Sequence, residues 1–120
     1  MKKARTTNPE LIELTRFLRR QSRENKAEVW RGIAESLAKP SRKRLAVNLS
    51  RLNRYTQKNE IAVIPGKVLG AGEIEHPITV AAFAFSKKAK DKIKAVNGKC
   101  LSLFDLAKKN PKGSNVKIIG

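Results

Sequence analysis

Arg16, Arg19, Arg20 and Arg23 stand three and four residues apart, so on a helix they share one face. A guanidinium offers a planar fork of donors that grips phosphate bidentately and stacks on bases, whereas a lysine ammonium is a hydrated point charge. Four such groups within about two helical turns repel one another unless something anionic lies across them. The chemistry this face points to is polyanion binding; the alternative is a merely solvated face, relieved by Glu13 and Glu24. Other basic residues extend the candidate surface: Lys2, Lys3 and Arg5, the run Arg42-Lys43-Arg44, the pair Arg51 and Arg54, and beyond them Lys67 and Lys112. All ten arginines fall within the first 54 residues, which makes that half the expected contact surface.

No other constellation carries chemistry as well. His76 is the only histidine and Cys100 the only cysteine, so a nucleophile with its base, an all-histidine or cysteine zinc site, and an internal disulfide are all out of reach. Glu73 and Glu75 beside His76 are too few for a catalytic set, and His76-Pro77 reads as a turn. Cys100 reads as a small buried hydrophobe. The segment Pro65-Gly66-Lys67-Val68-Leu69-Gly70-Ala71-Gly72 invites a phosphate-loop reading, but the GxxxxGK[ST] spacing is missing and Glu75 stands where GxGxxG needs its third glycine. These glycines are expected to serve turns and close strand approaches. No metal, cofactor or small-molecule substrate is expected, and no enzymatic activity.

Composition agrees with a polyanion partner. Lys and Arg number 27 against 10 Asp and Glu, a formal charge of +17 on 120 residues, and the isoelectric point is about 10.6. Such an excess repels itself in the free protein and draws in nucleic acid or an anionic membrane surface. The start, MKKARTTNPE, has no apolar stretch behind its charges, and no 18-residue apolar run occurs, so a cytosolic protein without a membrane span is expected. The length suits one domain with a modest core. A nuclear-localisation reading of the Arg-Lys-Arg run is weak, since such runs occur in many basic proteins.

The elements that must position these residues follow the hydrophobic pattern. Residues 1–7 form a basic arm with no apolar face, expected to stay disordered until bound, and residues 8–120 a single domain. Asn8-Pro9-Glu10 supplies a cap, a proline at the first helical position and an early acid. The helix that starts there carries Leu11, Leu14 and Leu18 as its core stripe, flanked by Ile12 and Phe17. A second helix is expected from Lys26 to Ala38, with Asn25 and Glu28 as a capping box and Trp30, Ile33 and Leu37 as core. Leu45 to Leu49 alternates as a strand, and Ser50 is placed to cap a short helix through Leu52 to Tyr55.

From Ile61 to Ser86 apolar residues are dense enough for buried strands: an apolar run, a Pro-Gly break, a second segment, then Ile78 to Phe85. Ser86 caps a helix whose apolar face is Ala89, Ile93 and Val96, with lysines over the remainder, ending at Asn97-Gly98. Cys100-Leu101 reads as a short strand, Ser102 caps a helix of Leu103, Leu106 and Ala107 that ends at Asn110-Pro111, and the tail from Lys112 to Ile119 returns as a strand. The pattern implies an α/β fold whose N-terminal part is helical.

The segments VIPGKVLGAGEI and ITVAAFAFSKKAKDKI, the NGK turn and the closing NPKGSNVKIIG, together with SRKRLAVNLSRLNRY and the arginine-bearing helix, resemble the L-eighteen-e family of archaeal and eukaryotic large-subunit ribosomal proteins. The length is similar to the archaeal form. The resemblance implies a fold like that of bacterial large-subunit protein fifteen, an irregular superhelical arrangement of short strands and helices with a helical N-terminal part. It further implies a structural constituent of the large subunit in the cytoplasm, bound to large-subunit ribosomal RNA beside neighbouring ribosomal proteins, with no catalysis. The competing reading is a free basic DNA- or RNA-binding protein that uses the arginine-rich first helix. Contacts spread over several elements favour folded RNA, which is recognised largely by shape, backbone and unpaired bases.

Overall fold

The computed structural model describes residues 9–38 and 45–119. The arm 1–7, the Asn8 cap and the basic run 41–44 lie outside the described residues. Among those described the fold is α/β, with five helices and five strands in one parallel sheet. The chain divides into two compact units, Met1–Arg44 with Phe104–Ser114, and Leu45–Leu103 with Asn115–Gly120.

The first unit is helical, as the periodicity predicts. Helix α1, Pro9–Asn25, buries Leu11, Leu14 and Leu18, while Ile12, 37% exposed, stands outside the core. Lys26 takes a left-handed conformation (φ 52°), which ends the helix. Helix α2, Glu28–Leu37, buries Trp30, Ile33, Ala34 and Leu37. The expected Asn25 and Glu28 capping box does not form. The residue before α2 is Ala27, with no side-chain cap, because Asn25 is still inside α1 and its amide donates back to the Gln21 carbonyl.

Trp30 is fully buried, and its indole N–H donates to the Pro111 carbonyl at 2.7 Å, so the ring's area and its one polar atom are both satisfied inside the fold. Helix α5, Leu103–Lys109, adds Leu106 and Ala107 to the buried set. The Phe17 and Phe104 rings meet at 4.9 Å and 43°. After α5, Asn110 clasps Ser114 through two hydrogen bonds. Gly113 (φ +67°) lies so close to Val29 that a Cβ there would collide with its Cγ1.

The second unit is built on the sheet. Strands β1 (Leu45–Asn48), β2 (Ile61–Leu69), β3 (Thr79–Phe85) and β4 (Lys99–Ser102) lie side by side in that order, and every pairing is parallel. Strand β5, Val116–Ile118, pairs with residues 61–63 of β2 and β1 with residues 66–69, so the two share one edge of β2, end to end. Ala62, Ile64, Val68, Val80 and Ala82 join Leu49, Leu52, Ala89 and Ile93 in one apolar cluster. Their alternates Val63 and Ala81 are buried as well, the pattern of a parallel sheet covered on both faces.

Two expectations fail here for stated reasons. Pro65-Gly66 does not break the chain into two segments: β2 runs through it, and the pairing with β3 shifts register between Ile64 and Lys67. A proline without an N–H is tolerated where a bulge removes the need for one. Ser50 does not cap a helix, because helix α3, Leu49–Tyr55, has already begun and Asn48 stands at its N-cap. Leu49 turns into the core instead of ending the strand. By contrast Ser86 caps helix α4, Lys87–Ala95, as predicted, its hydroxyl accepting from the Ala89 N–H at 3.1 Å.

Candidate nucleic-acid interface

On α1 the leucine stripe and the arginines divide the cylinder between them. At about 100° per residue the four arginines fall within an arc of roughly 100°, centred nearly opposite the stripe that packs inward. Arg16, Arg19, Arg20 and Arg23 are all exposed, and among the described residues none of them forms an ion pair. Their positive charge is unanswered by the fold. Ile12 projects from the same arc. Arg31 on α2 differs: Glu28 at 3.6 Å and Glu35 at 3.5 Å flank it, so its charge is compensated on its own helix. Lys112, in the segment after α5, is exposed in this unit too.

In the second unit Arg51 and Arg54 are exposed on α3 and Lys67 on β2. Arg51 lies over the Tyr55 ring, its guanidinium carbon 5.1 Å from the ring centre. Sequence reasoning grouped Arg51 with Arg54 but passed over Tyr55, although four residues on a helix is the spacing at which side chains meet. Lys2, Lys3, Arg5, Arg42, Lys43 and Arg44 fall outside the described residues.

The glycine segment is arranged against phosphate rather than for it. A phosphate cradle presents backbone N–H groups to its ligand. Here the carbonyls of Gly70 and Gly72 accept from Lys92 Nζ at 3.1 and 2.7 Å, and Glu73 adds a third partner at 3.0 Å. A Cβ on Gly70 would stand 2.8 Å from the Lys88 side chain, and one on Gly72 (φ +84°) 2.5 Å from Ser50. The glycines therefore let the loop lie against α3 and α4.

Glu75, His76 and Cys100 are likewise engaged in structure. Asn53 donates to the Glu75 carboxylate and accepts from the Glu75 N–H, both at 2.9 Å. The Thr56 hydroxyl gives its single proton to the Leu52 carbonyl, so it accepts from His76 Nε2–H at 2.9 Å, which fixes the tautomer. Burial raises the Cys100 thiol above its ordinary pKa, against the opposing pull of Lys94 and Lys90. A thiol held protonated in this way is the reverse of an activated nucleophile. Among the described residues no three His, Cys, Asp or Glu side chains are grouped to hold a metal ion, and no helix is long and apolar enough to cross a membrane.

The family model described as "Ribosomal protein 60S L18 and 50S L18e" matches residues 1–120. A protein of Methanococcus maripaludis named "Large ribosomal subunit protein eL18" is 49% identical over 119 residues, 99% of each chain. Proteins of the same name from Methanothermobacter thermautotrophicus and Archaeoglobus fulgidus are 43% and 46% identical over 119 and 115 residues. These cover 99% and 96% of this chain, and 98% of each relative.

Proposed function

The chain belongs to the family of ribosomal proteins 60S L18 and 50S L18e, and from that premise we propose that it is a structural constituent of the large ribosomal subunit, held to ribosomal RNA by its basic faces and without catalytic activity. The observation that carries the reading is the arginine face of α1, exposed and, among the described residues, without ion pairs, opposite a buried leucine stripe. A protein that kept these four charges only for solubility would be expected to compensate them locally, as Arg31 is compensated. Arg51, Arg54, Lys67 and Lys112 add further contacts, and so do Lys2, Lys3, Arg5, Arg42, Lys43 and Arg44. The site of action is the cytoplasmic ribosome, where ribosomal RNA and adjoining ribosomal proteins are the partners and no small molecule or cofactor is used.

Residues 8–120 act as one ribosomal-protein domain behind a basic arm of residues 1–7. Supporting this, neither compact unit is a single stretch of chain, since Phe104–Ser114 belongs with the N-terminal residues and Asn115–Gly120 with the sheet. Removing either unit would cut the other.

The test is retention on the particle. Large subunits washed at a salt concentration that strips loosely attached basic proteins should keep this chain. Its sedimentation entirely as free protein, while other subunit proteins stay with the particle, would refute the reading. Tighter binding to random duplex DNA than to large-subunit ribosomal RNA, at one salt concentration, would point instead to a free DNA-binding protein.

A further inference from the structure

Around the axis of α1 the four exposed arginines form a diamond. Arg16 and Arg23 lie within about 20° of one another and about 10 Å apart along the helix, which makes them its midline. Arg19 and Arg20, adjacent in sequence, stand about 100° apart at almost the same height and form its two flanks. Ile12, 37% exposed, lies inside the same arc. The three glutamates of α1 fall outside it, and so does its one aromatic residue, Phe17, whose ring packs on Phe104. The face is convex, cationic in two dimensions, and without a ring on which a base could stack.

We propose that α1 binds paired RNA, its arginine face seated in the minor groove of an A-form duplex with Arg19 and Arg20 on opposite phosphate rows; the proposal rests on the RNA-binding reading above. Single-stranded RNA is held in cationic grooves that supply aromatic stacking platforms, and this face offers neither groove nor platform. It presents two flanking cations at one height, which a duplex answers with two phosphate rows and a single strand with one. The minor groove of A-form RNA is wide and shallow and admits a convex face, whereas the major groove is too deep and narrow for side chains to read. There Arg16 and Arg23 lie over the floor, where guanidinium N–H groups donate to 2′-hydroxyl oxygens, and Ile12 rests on the sugars. Recognition of this kind reads shape and the 2′-hydroxyl rather than sequence.

The experiment measures binding of the full-length protein to a mixed-sequence RNA duplex of two helical turns, to each of its strands, and to the DNA duplex of the same sequence, all at one near-physiological salt concentration. The RNA duplex should bind roughly tenfold tighter than either strand or the DNA duplex. Arg19→Gln combined with Arg20→Gln should lower duplex affinity roughly ten- to thirtyfold and flatten its salt slope by about two units, while affinity for the strands changes less than about threefold. Both positions are exposed, so the double variant should keep the wild-type urea midpoint. Hydroxyl-radical cleavage of the wild-type complex needs no variant, and should show protected sugars on both strands, facing each other across the minor groove. Strands bound as tightly as the duplex, an equal loss on both from the double variant, or protection confined to one strand overturns the duplex site and leaves RNA binding standing. A DNA duplex bound as tightly as the RNA duplex overturns the minor-groove seat in favour of charge alone. RNA binding untouched by the double variant means that α1 faces another partner, and the proposal falls. Failure of the wild type to bind any RNA overturns both readings.

Discussion

Among the described helices α1 and α4 carry the most cations, four arginines and five lysines, and they use them differently. On α1 the arginines are exposed, gathered on one face and, among the described residues, free of ion pairs. On α4 the lysines do not behave as a set. Lys87, Lys88, Lys90 and Lys94 are exposed, and Asp91 falls within about 60° of Lys87, Lys88 and Lys94 around the helix. Lys92 is drawn inward, only 24% exposed, to hold the Gly70–Glu73 loop. The difference teaches that a count of cations says little about their use. What separates a ligand-facing cation from a structural one is whether the fold already supplies its partners.

The largest expected effect tests that separation directly. Replacing Arg19, Arg20 and Arg23 together by Gln should flatten the plot of log affinity for ribosomal RNA against log salt by roughly two to three units, since each phosphate contact contributes about 0.7 to 0.9. Replacing Lys88, Lys90 and Lys94 by Gln removes the same formal charge and should change the slope by less than about one unit. Equal losses from the two triples would mean that net charge alone governs binding, and the arginine surface would have to be given up.

Most of what positions α1 was legible in the sequence, because a leucine stripe, an arginine face and a buried Trp30 are set by local periodicity. The Ser86 cap was legible for the same reason: donor and acceptor lie three residues apart. What escaped depends on partners distant in sequence. Pro65-Gly66 reads locally as a break and becomes a bulge only because β3 is there to take up the register shift. Asn25 and Glu28 have capping-box spacing, yet Asn25 is still inside α1. Nothing local separates Lys92 from Lys90 or Lys94; the loop carbonyls it serves lie 20 and 22 residues away. Tyr55 needed β5, more than sixty residues on, before its surroundings were defined.

Lys92 gives the second, intermediate effect. Lys92→Met keeps most of the aliphatic stem and removes the ammonium that three oxygens share. A hydrogen bond to a charged group contributes about 1.5 to 3 kcal/mol when buried, and partial exposure reduces this, so a loss of about 1 to 2 kcal/mol is expected. Urea unfolding at neutral pH measures it as a lower midpoint with an unchanged slope. Lys88→Met, at an exposed site on the same helix, should be neutral or slightly stabilising because it lowers the self-repulsion of a chain carrying +17. The RNA salt slope should not move for Lys92→Met. If it fell by a full unit while stability stayed constant, Lys92 would belong with the arginines of α1.

The smallest effect concerns Lys117, a lysine that the fold engages more lightly than Lys92. It donates to Glu60 at 3.3 Å, and the same carboxylate accepts the Gln57 N–H at 2.6 Å. The Gln57 hydrogen bond, opposed by some desolvation and aided by Lys117, holds the Glu60 carboxyl below its usual pKa. A carboxyl whose pKa is depressed by folding binds its proton more weakly in the folded state than in the unfolded one. Its contribution is therefore fully present above the ordinary carboxylate range and is lost as pH falls through that range to the depressed value. Glu60→Gln cannot ionise, so it lacks this contribution at every pH. The variant should be slightly less stable than wild type at pH 7, and the two unfolding midpoints should converge as the buffer is taken down past the ordinary carboxylate range. A midpoint difference that stayed constant down to the lowest pH would show that packing or hydrogen-bond geometry, and not ionisation, sets the role of Glu60.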